Sequence, residues 1–419
     1  MQKLTTYENG LRVITDTVPG LKTVAAGIWV NMGSSKETKP LNGLSHFTEH
    51  MLFKGTDKLS AYEIADRFES YGAQINAFTG KECTCYYVKS IDEYAEPCFE
   101  LLSHIFLDSV FPEDELLKER NVVLEEINMV EDSPEDICYD ELAAALYGEG
   151  PLGQTILGPA KTVQSFFRND VADFVNRTYC AENTVLSLAG NITPEEADAY
   201  VRRHMLPKLR AKTIRLTEAG KQPNGRVHRE RIKDFEQSNI ALGFSSLPFD
   251  DKRSSVQNVL NVVLGGGMSS RLFQAIRERL GLAYSVYSAP SAFLHNGSFN
   301  IVLNISPENT QKALDATVAE IRKVLDGDIT QKEIARAKTQ LKSALFFARE
   351  NVQSIMNANG KLLTVAGRVY DIERKISEID CVDADAVTSL AAEIFRDEAL
   401  CSAYVGKPCK ADFAGLKLF

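Results

Sequence analysis

Apolar residues along the chain recur in two ways, as short runs or every second position and as stripes spaced by three and four. These are the periods of strands and helices respectively. In the first half, a strand-like run at 23–30 precedes a loop, an apolar-periodic stretch around 44–52, a second helical stretch at 61–71 and strands between 74 and 90. In the second half, a strand at 239–244 precedes helices at 254–264 and 271–279, then strands at 283–288 and 297–305. Helices at 307–325 and 331–349 follow, mirroring a helical pair in the first half whose second member covers 112–130. The repeated order predicts an internal duplication with a period near half the chain. Strands arriving in hairpins, with helices gathered to one side, predict an α+β fold of two homologous halves, each a mainly antiparallel sheet packed with helices. The connector falls within 206–235, where basic residues and Pro223, Asn224 and Gly225 interrupt the periodicity.

The stretch around 44–52 carries His46-Phe47-Thr48-Glu49-His50. On a helix, positions four apart share a face and the third lies beside them. His46 and His50 are therefore placed to grip one ion, with Glu49 next to it. The order is the reverse of His-Glu-x-x-His and is the inverzincin signature. Leu44, Phe47, Met51 and Leu52 supply the apolar positions, Asn42 and Ser45 offer capping groups, and Gly55 is placed to end the helix. Two ordinary histidines on a helix would give the same five letters, so the pattern needs a third ligand. Catalytic zinc takes three protein ligands and keeps a fourth position open.

That ligand is expected on the helix 112–130, which starts with a proline and acids as helix N-termini prefer. Glu125 shares a polar face with Lys118, Asn121 and Asn128, whereas Glu126 joins Glu119, Val122, Val123 and Val130 on a largely apolar one. A carboxylate on a core face is paired or bound to metal, because burying it alone is costly. Glu126 is the expected third ligand. Glu119, two turns earlier on the same stripe, is placed to support a ligand histidine from behind. In the second half the corresponding stretch, 258–263, has neither His nor Glu, so one half is catalytic and the other is not.

Size and composition narrow the setting. At 419 residues the chain exceeds what one core usually supports, and the division expected is 1–210 catalytic, 211–232 linker and 233–419 inactive. With 44% hydrophobic and 25% charged residues it reads as an ordinary globular protein. No apolar run approaches a membrane span, and the start lacks a signal-peptide core, so the expected location is cytoplasmic, with no membrane partner. Eight cysteines without Cys-x-x-Cys spacing point to reduced thiols, and Cys83 and Cys85 read as core filler on one face of a strand. A net charge of −10 argues against nucleic acid as a partner and suits cationic peptides better.

The motif at 46–50, Glu126 and the stretch Arg277-Glu278-x-x-Gly281-Leu282-Ala283-Tyr284 together resemble the pitrilysin-like metallopeptidases. The branch is the short-chain one of the mitochondrial processing peptidase and its bacterial relatives, and the resemblance covers nearly the whole chain. It implies one Zn2+ per chain held by His46, His50 and Glu126, with Glu49 as general base and Glu119 as supporting acid. It implies that Asn76 and Ala77 lie on an edge strand to which a peptide adds through main-chain hydrogen bonds. Arg277 and Tyr284 are similar to the pair from the inactive half that contacts substrate near its scissile bond. Asp136 and Asp140 resemble acids that recognise an arginine near the cleavage site; a solvated acidic helix start reads equally well from the residues alone. In short-chain members the catalytic half of one subunit faces the inactive half of another across a chamber. A zinc motif and a short glycine-rich loop, 265–271, in one chain favour a homodimer with composite sites.

The expected activity is zinc-dependent endopeptidase action on extended or unfolded peptides, with a preference for sites near Arg as a secondary expectation. The competing reading is a noncatalytic assembly or scaffold subunit of the same fold. Such subunits typically lose ligand residues, whereas His46, Glu49, His50 and Glu126 are all present here.

Overall fold

The computed structural model describes residues 2–212, 214 and 225–418. Pro223 and Asn224, expected in the connector, lie outside the described residues. The first half runs β1 (Gln2–Thr6), β2 (Arg12–Thr17), β3 (Thr23–Val30), α1 (Leu44–Leu52), α2 (Ala61–Ser70), β4 (Gln74–Thr79), β5 (Thr84–Ile91), α3 (Ala95–Asp108), α4 (Glu113–Glu131), α5 (Pro134–Tyr147), α6 (Ala160–Gln164), α7 (Arg168–Thr178), β6 (Thr184–Gly190) and α8 (Pro194–His204). The second runs β7 (His228–Ile232), β8 (Ser238–Ser245), α9 (Ser254–Leu264), a π-helical segment Phe273–Arg279, β9 (Ala283–Ala292), β10 (Gly297–Ile305), α10 (Thr310–Leu325), α11 (Gln331–Arg349), α12 (Val352–Ala366), α13 (Ile372–Asp380), α14 (Ala384–Ile394) and β11 (Cys401–Gly406).

Two sheets result, ordered β1-β2-β6-β3-β5-β4 and β7-β11-β8-β10-β9. Setting β1 aside, the orders match strand for strand. In each sheet one pair is parallel, β2 with β6 and β7 with β11, and the other neighbours are antiparallel. The expected α+β duplication is therefore the architecture found. Strand β9 runs four residues beyond the expected 283–288 and passes through Pro290; a proline is tolerated there because β9 is an edge strand. Residues 228–232, read from sequence as the end of the linker, are strand β7. Its polar alternation hides it: Arg229 and Arg231 turn toward Glu141 and Glu131.

One face of each sheet carries its main core. In the first, Val13, Val24, Ala26, Ile28, Val30, Leu186 and Leu188 meet Leu44, Phe47 and Met51 of α1 and Phe99 and Leu102 of α3. In the second, Ile240, Leu242, Phe244, Phe299 and Ile301 meet Val259, Leu260 and Val263 of α9.

The opposite faces are covered by exchanged helices, so no single cut through the connector separates the compact units. One unit comprises residues 1–127, 155–218 and 347–370, the other 128–154, 219–346 and 371–419. Helix α12, from late in the chain, lies across β3 and β6; α5, from the first half, lies across β8 and β11. The α5 contact is made by Ile137, Cys138, Leu142, Ala145 and Leu146 against Ala241, Val302, Cys401, Ala403 and Val405. The α12 contact depends on two glycines. A Cβ on Gly360 would sit 2.1 Å from the indole Nε1 of Trp29, and one on Gly27 would sit 2.4 Å from Met356 Sδ. Buried Asp16 fixes the register by accepting from Arg349 Nη1 at 2.6 Å and Asn359 Nδ2 at 3.2 Å.

A glycine inside a helix normally costs roughly 0.5–1 kcal/mol against alanine. At Gly360 the sign reverses, because the added methyl overlaps a fully buried indole ring. Gly360→Ala is expected to destabilise by about 1–3 kcal/mol, the usual range for overpacking. A urea titration followed by Trp29 fluorescence, which reports this contact directly, is the check; a higher midpoint than wild type would refute it.

All eight cysteines are free thiols. Cys83 and Cys85 are buried, and burial pushes the Cys83 thiol up to about 11 and the Cys85 thiol well above its ordinary value, as expected of packing residues. Among the described residues no helix is long and apolar enough to cross a membrane.

Candidate metal centre

Helix α1 buries Leu44, Phe47, Met51 and Leu52 almost completely and turns His46, Glu49 and His50 to the half-buried opposite side. Its start is held differently from expectation. The residue before the helix is Gly43, at φ 98°, a left-handed conformation that suits glycine, and a Cβ there would meet Leu157 O at 2.3 Å. Gly43 supplies no side-chain cap. The caps come instead from Glu37, whose Oε2 accepts from Gly43 N at 2.8 Å and whose Oε1 accepts from Ser45 N at 2.5 Å. Asn42, expected as a cap, donates to Glu37 Oε2 and to Thr155 O. An anion at a helix N-terminus is favoured by the macrodipole. Burial raises the pKa of Glu37, opposed by its hydrogen bonds from Ser45, Gly43 and Asn42. The six-residue gap between Glu37 and Gly43 conceals this cap from sequence reading. Gly55 does not end the helix either: the C-cap is Phe53, and Gly55 forms an isolated antiparallel bridge with Ser60.

Helix α4 presents the expected stripe with one correction. Leu116, Glu119 and Val123 are buried, Glu126 is half-buried and Glu125 is exposed. Val122 was expected on the inner face but is 44% exposed. It sits on the border of the stripe, about 100° of rotation from Val123.

The side chains from α1 and α4 converge. His46 Nε2 and His50 Nε2 are 3.3 Å apart, and Glu126 Oε2 is 3.6 Å from the first and 3.5 Å from the second. Zinc bonds of about 2.0–2.1 Å in a tetrahedron imply ligand atoms separated by about 3.4 Å. The triangle fits that ion. Glu126 Oε2 and His46 Nδ1 are buried with no hydrogen-bond partner, a cost that a cation beside the carboxylate would offset for Glu126. Glu49, Glu119 and Glu126 count formally as three negative charges against one from Lys54, leaving two for a divalent ion to cancel.

The surrounding bonds set the histidine tautomer. His50 Nδ1 donates to Glu119 Oε1 at 2.8 Å, which leaves its Nε2 lone pair facing the triangle. Lys54 Nζ occupies the other Glu119 oxygen at 2.6 Å. Burial alone would raise the pKa of Glu119; the hydrogen bonds from His50 and Lys54 outweigh it, and the group is held below its ordinary value. His46 is pulled down to about 3 by burial and by His50, so its imidazole is neutral at physiological pH. For His50, burial lowers the pKa, but the Glu119 hydrogen bond and the charges of Glu126, Glu119 and Glu49 carry it above its usual range. Lys54 was missed by sequence reading: it lies just beyond Phe53, the C-cap of α1, where helical spacing no longer says which way a side chain points.

Glu49 projects beside the triangle and accepts from Thr79 Oγ1 at 2.5 Å. Burial raises its pKa; the Thr79 bond and His50 oppose the rise, and Glu126 adds to it. A carboxylate moved toward neutrality is well matched to proton transfer.

Asn76 and Ala77 lie on β4, the edge of the first sheet. Asn76 Oδ1 accepts from Ala77 N at 2.8 Å. Arg277 and Tyr284 lie together in the other unit: the Arg277 guanidinium is 5.9 Å from the Tyr284 ring centre and 4.9 Å from that of Phe273, and Tyr284 is 73% exposed. Asp136 and Asp140 are one turn apart on α5 in that unit. A second group of potential ligands, Asp57, His104 and Asp108, does not have the same character. Both ring nitrogens of His104 are engaged, by Asp108 at 2.7 Å and Thr56 at 3.0 Å, and Lys208 balances Asp108.

Comparison with known proteins agrees with this architecture. The family model described as insulinase, peptidase family M16, matches residues 12–160, and that of the peptidase M16 inactive domain matches residues 165–341. An uncharacterized zinc protease of Bacillus subtilis, YmxG, is 40% identical over 95% of this chain and 97% of its own length. Another uncharacterized zinc protease, from Streptomyces coelicolor, is 34% identical over 93% of this chain and 86% of its own. The fold matches a solved protease from Helicobacter pylori with a TM-score of 0.92 at 22% identity, covering 97% of this chain and 99% of that one. It also matches a peptidase M16 inactive domain structure from Pseudomonas fluorescens with a TM-score of 0.90 at 21% identity, over 98% and 99% of the two chains.

Proposed function

The chain belongs to the insulinase family, peptidase M16, and on that premise we propose that it is a zinc-dependent endopeptidase acting on extended or unfolded peptides. The observation that carries the proposal is the triangle of His46 Nε2, His50 Nε2 and Glu126 Oε2, whose edges suit one zinc ion with a position left for water.

When bound, zinc supplies Lewis acidity, polarising a carbonyl and lowering the pKa of water from roughly 15.7 toward about 7. The chain's own residues do the rest. His46 presents a neutral nitrogen, and His50, oriented by its Nδ1–H bond to Glu119, would give up its Nε2 proton when the ion binds. With Oε2 engaged by Thr79, Glu49 has Oε1 free to take a proton from the attacking water and then to deliver it to the departing amine. The open edge of β4 offers main-chain groups to a substrate strand, and the side chain of Asn76 must release the Ala77 N–H for full pairing. Arg277 and Tyr284 from a second copy of the chain would act on the tetrahedral state across a closed chamber, and Asp136 and Asp140 would favour a basic residue near the cut. The working assembly is accordingly a homodimer with composite sites, located in the cytoplasm.

Purified protein is expected to hold one zinc per chain by elemental analysis and to cut an arginine-containing peptide library, with cut sites read by mass spectrometry. A chelator should abolish cleavage, and added zinc restore it. Absence of both zinc and cleavage would favour the noncatalytic scaffold reading, against which stands the retention of every ligand and of Glu49.

A further inference from the structure

We propose that Thr79 is a positioning residue that ties the aim of Glu49 to the strand on which a peptide docks, an inference that rests on the endopeptidase reading above. Thr79 is the last residue of β4, and its hydroxyl holds Glu49 Oε2. Strand alternation puts Ile75, Ala77 and Thr79 on the half-buried face toward α1, with Ile75 and Ala77 packed against the core. Gln74, Asn76 and Phe78 face the other way, and Phe78 packs edge-on against Trp29 at 5.5 Å. The strand is thus gripped from both faces while its outer edge stays open to a partner strand.

The backbone just beyond Thr79 is equally constrained. Gly80 N donates to Cys83 O at 2.9 Å, and Gly80 O accepts from Ser34 N at 3.2 Å. Thr79 also has a β-branched side chain with few accessible rotamers. A glutamate by contrast has three side-chain torsions, the last of them soft. Fixing Oε2 through a stiff neighbour removes that freedom and leaves Oε1 as the proton-accepting atom. Because the same strand supplies the docking edge and the holding hydroxyl, a shift of β4 on binding carries the base along with the substrate carbonyl. Helix α1 alone would fix Glu49 relative to the ligands and not relative to the peptide.

The test uses the full-length protein as wild type, Thr79→Val and Thr79→Ser, with kcat and KM for an internally quenched, arginine-containing peptide. Zinc affinity is measured separately by competition with a chromophoric chelator. Valine keeps the shape and removes the hydroxyl, so kcat should fall roughly ten- to a hundredfold, the scale of a misplaced catalytic group. KM and zinc affinity should stay within about twofold of wild type, since the triangle residues are unchanged and the docking edge of β4 is main chain, which the substitution leaves in place. Serine should recover most of the lost kcat.

A Thr79→Val enzyme with wild-type kcat overturns the inference. So does a loss that serine does not rescue, or one that appears in zinc affinity, because each marks a merely structural role. A wild-type protein that binds zinc and cuts nothing defeats the endopeptidase reading and this inference together. Activity in wild type with indifference to Thr79→Val defeats this inference alone.

Discussion

Glu49→Gln is expected to retain one zinc per chain and to lose hydrolysis by at least the 10²- to 10⁴-fold attributed to a general base. The amide is nearly isosteric with the carboxylate, and its oxygen can still accept from Thr79 Oγ1. The triangle of His46, His50 and Glu126 is not altered by the change. What is lost is the ability to accept a proton. Elemental analysis and turnover of a labelled basic peptide, measured on the same preparation, separate binding from chemistry. Turnover within about tenfold of wild type would remove Glu49 from the role of base and leave the water to be activated by another group.

The second large effect concerns the exchanged helices. A fragment ending at residue 212 contains β1 to β6 but lacks α12, so Ile14, Ala25, Trp29, Val185 and Ala189 lose the cover that keeps them buried. Conversely, a fragment starting at residue 225 lacks α5, which covers Ala241, Val302, Cys401, Ala403 and Val405. Bare apolar faces of this kind associate nonspecifically. Each fragment expressed alone is expected to be insoluble, and the two co-expressed are expected to co-purify, each completing the other's sheet. Soluble, monomeric and cooperatively melting single fragments would contradict this.

The convergence of His46, His50 and Glu126 was legible in the sequence because it is tied to helical spacing: three and four residues separate the members of both the histidine motif and the α4 stripe. The duplicated strand order was legible from periodicity for the same reason, since each period reports one kind of element. What escaped were interactions set by tertiary approach. Glu37 caps a helix six residues away in sequence, Thr79 reaches Glu49 thirty residues earlier, and β7 hides its alternation in charged residues that pair with α4 and α5. The helix exchange was illegible altogether, because an amphipathic stripe says that a helix is covered and not by which sheet. Val122 shows the limit in small: a residue at the border of a stripe is assigned to a face only once the neighbours are known.

Synthesis order gives the position of α12 a further meaning. The ribosome releases β6, the last strand of the first sheet, long before it releases residues 352–366. At about 5–20 residues per second the wait is roughly ten to thirty seconds. Throughout that interval one apolar surface of the first sheet has no α12 to cover it, so the amino-terminal half emerges first and is finished among the last.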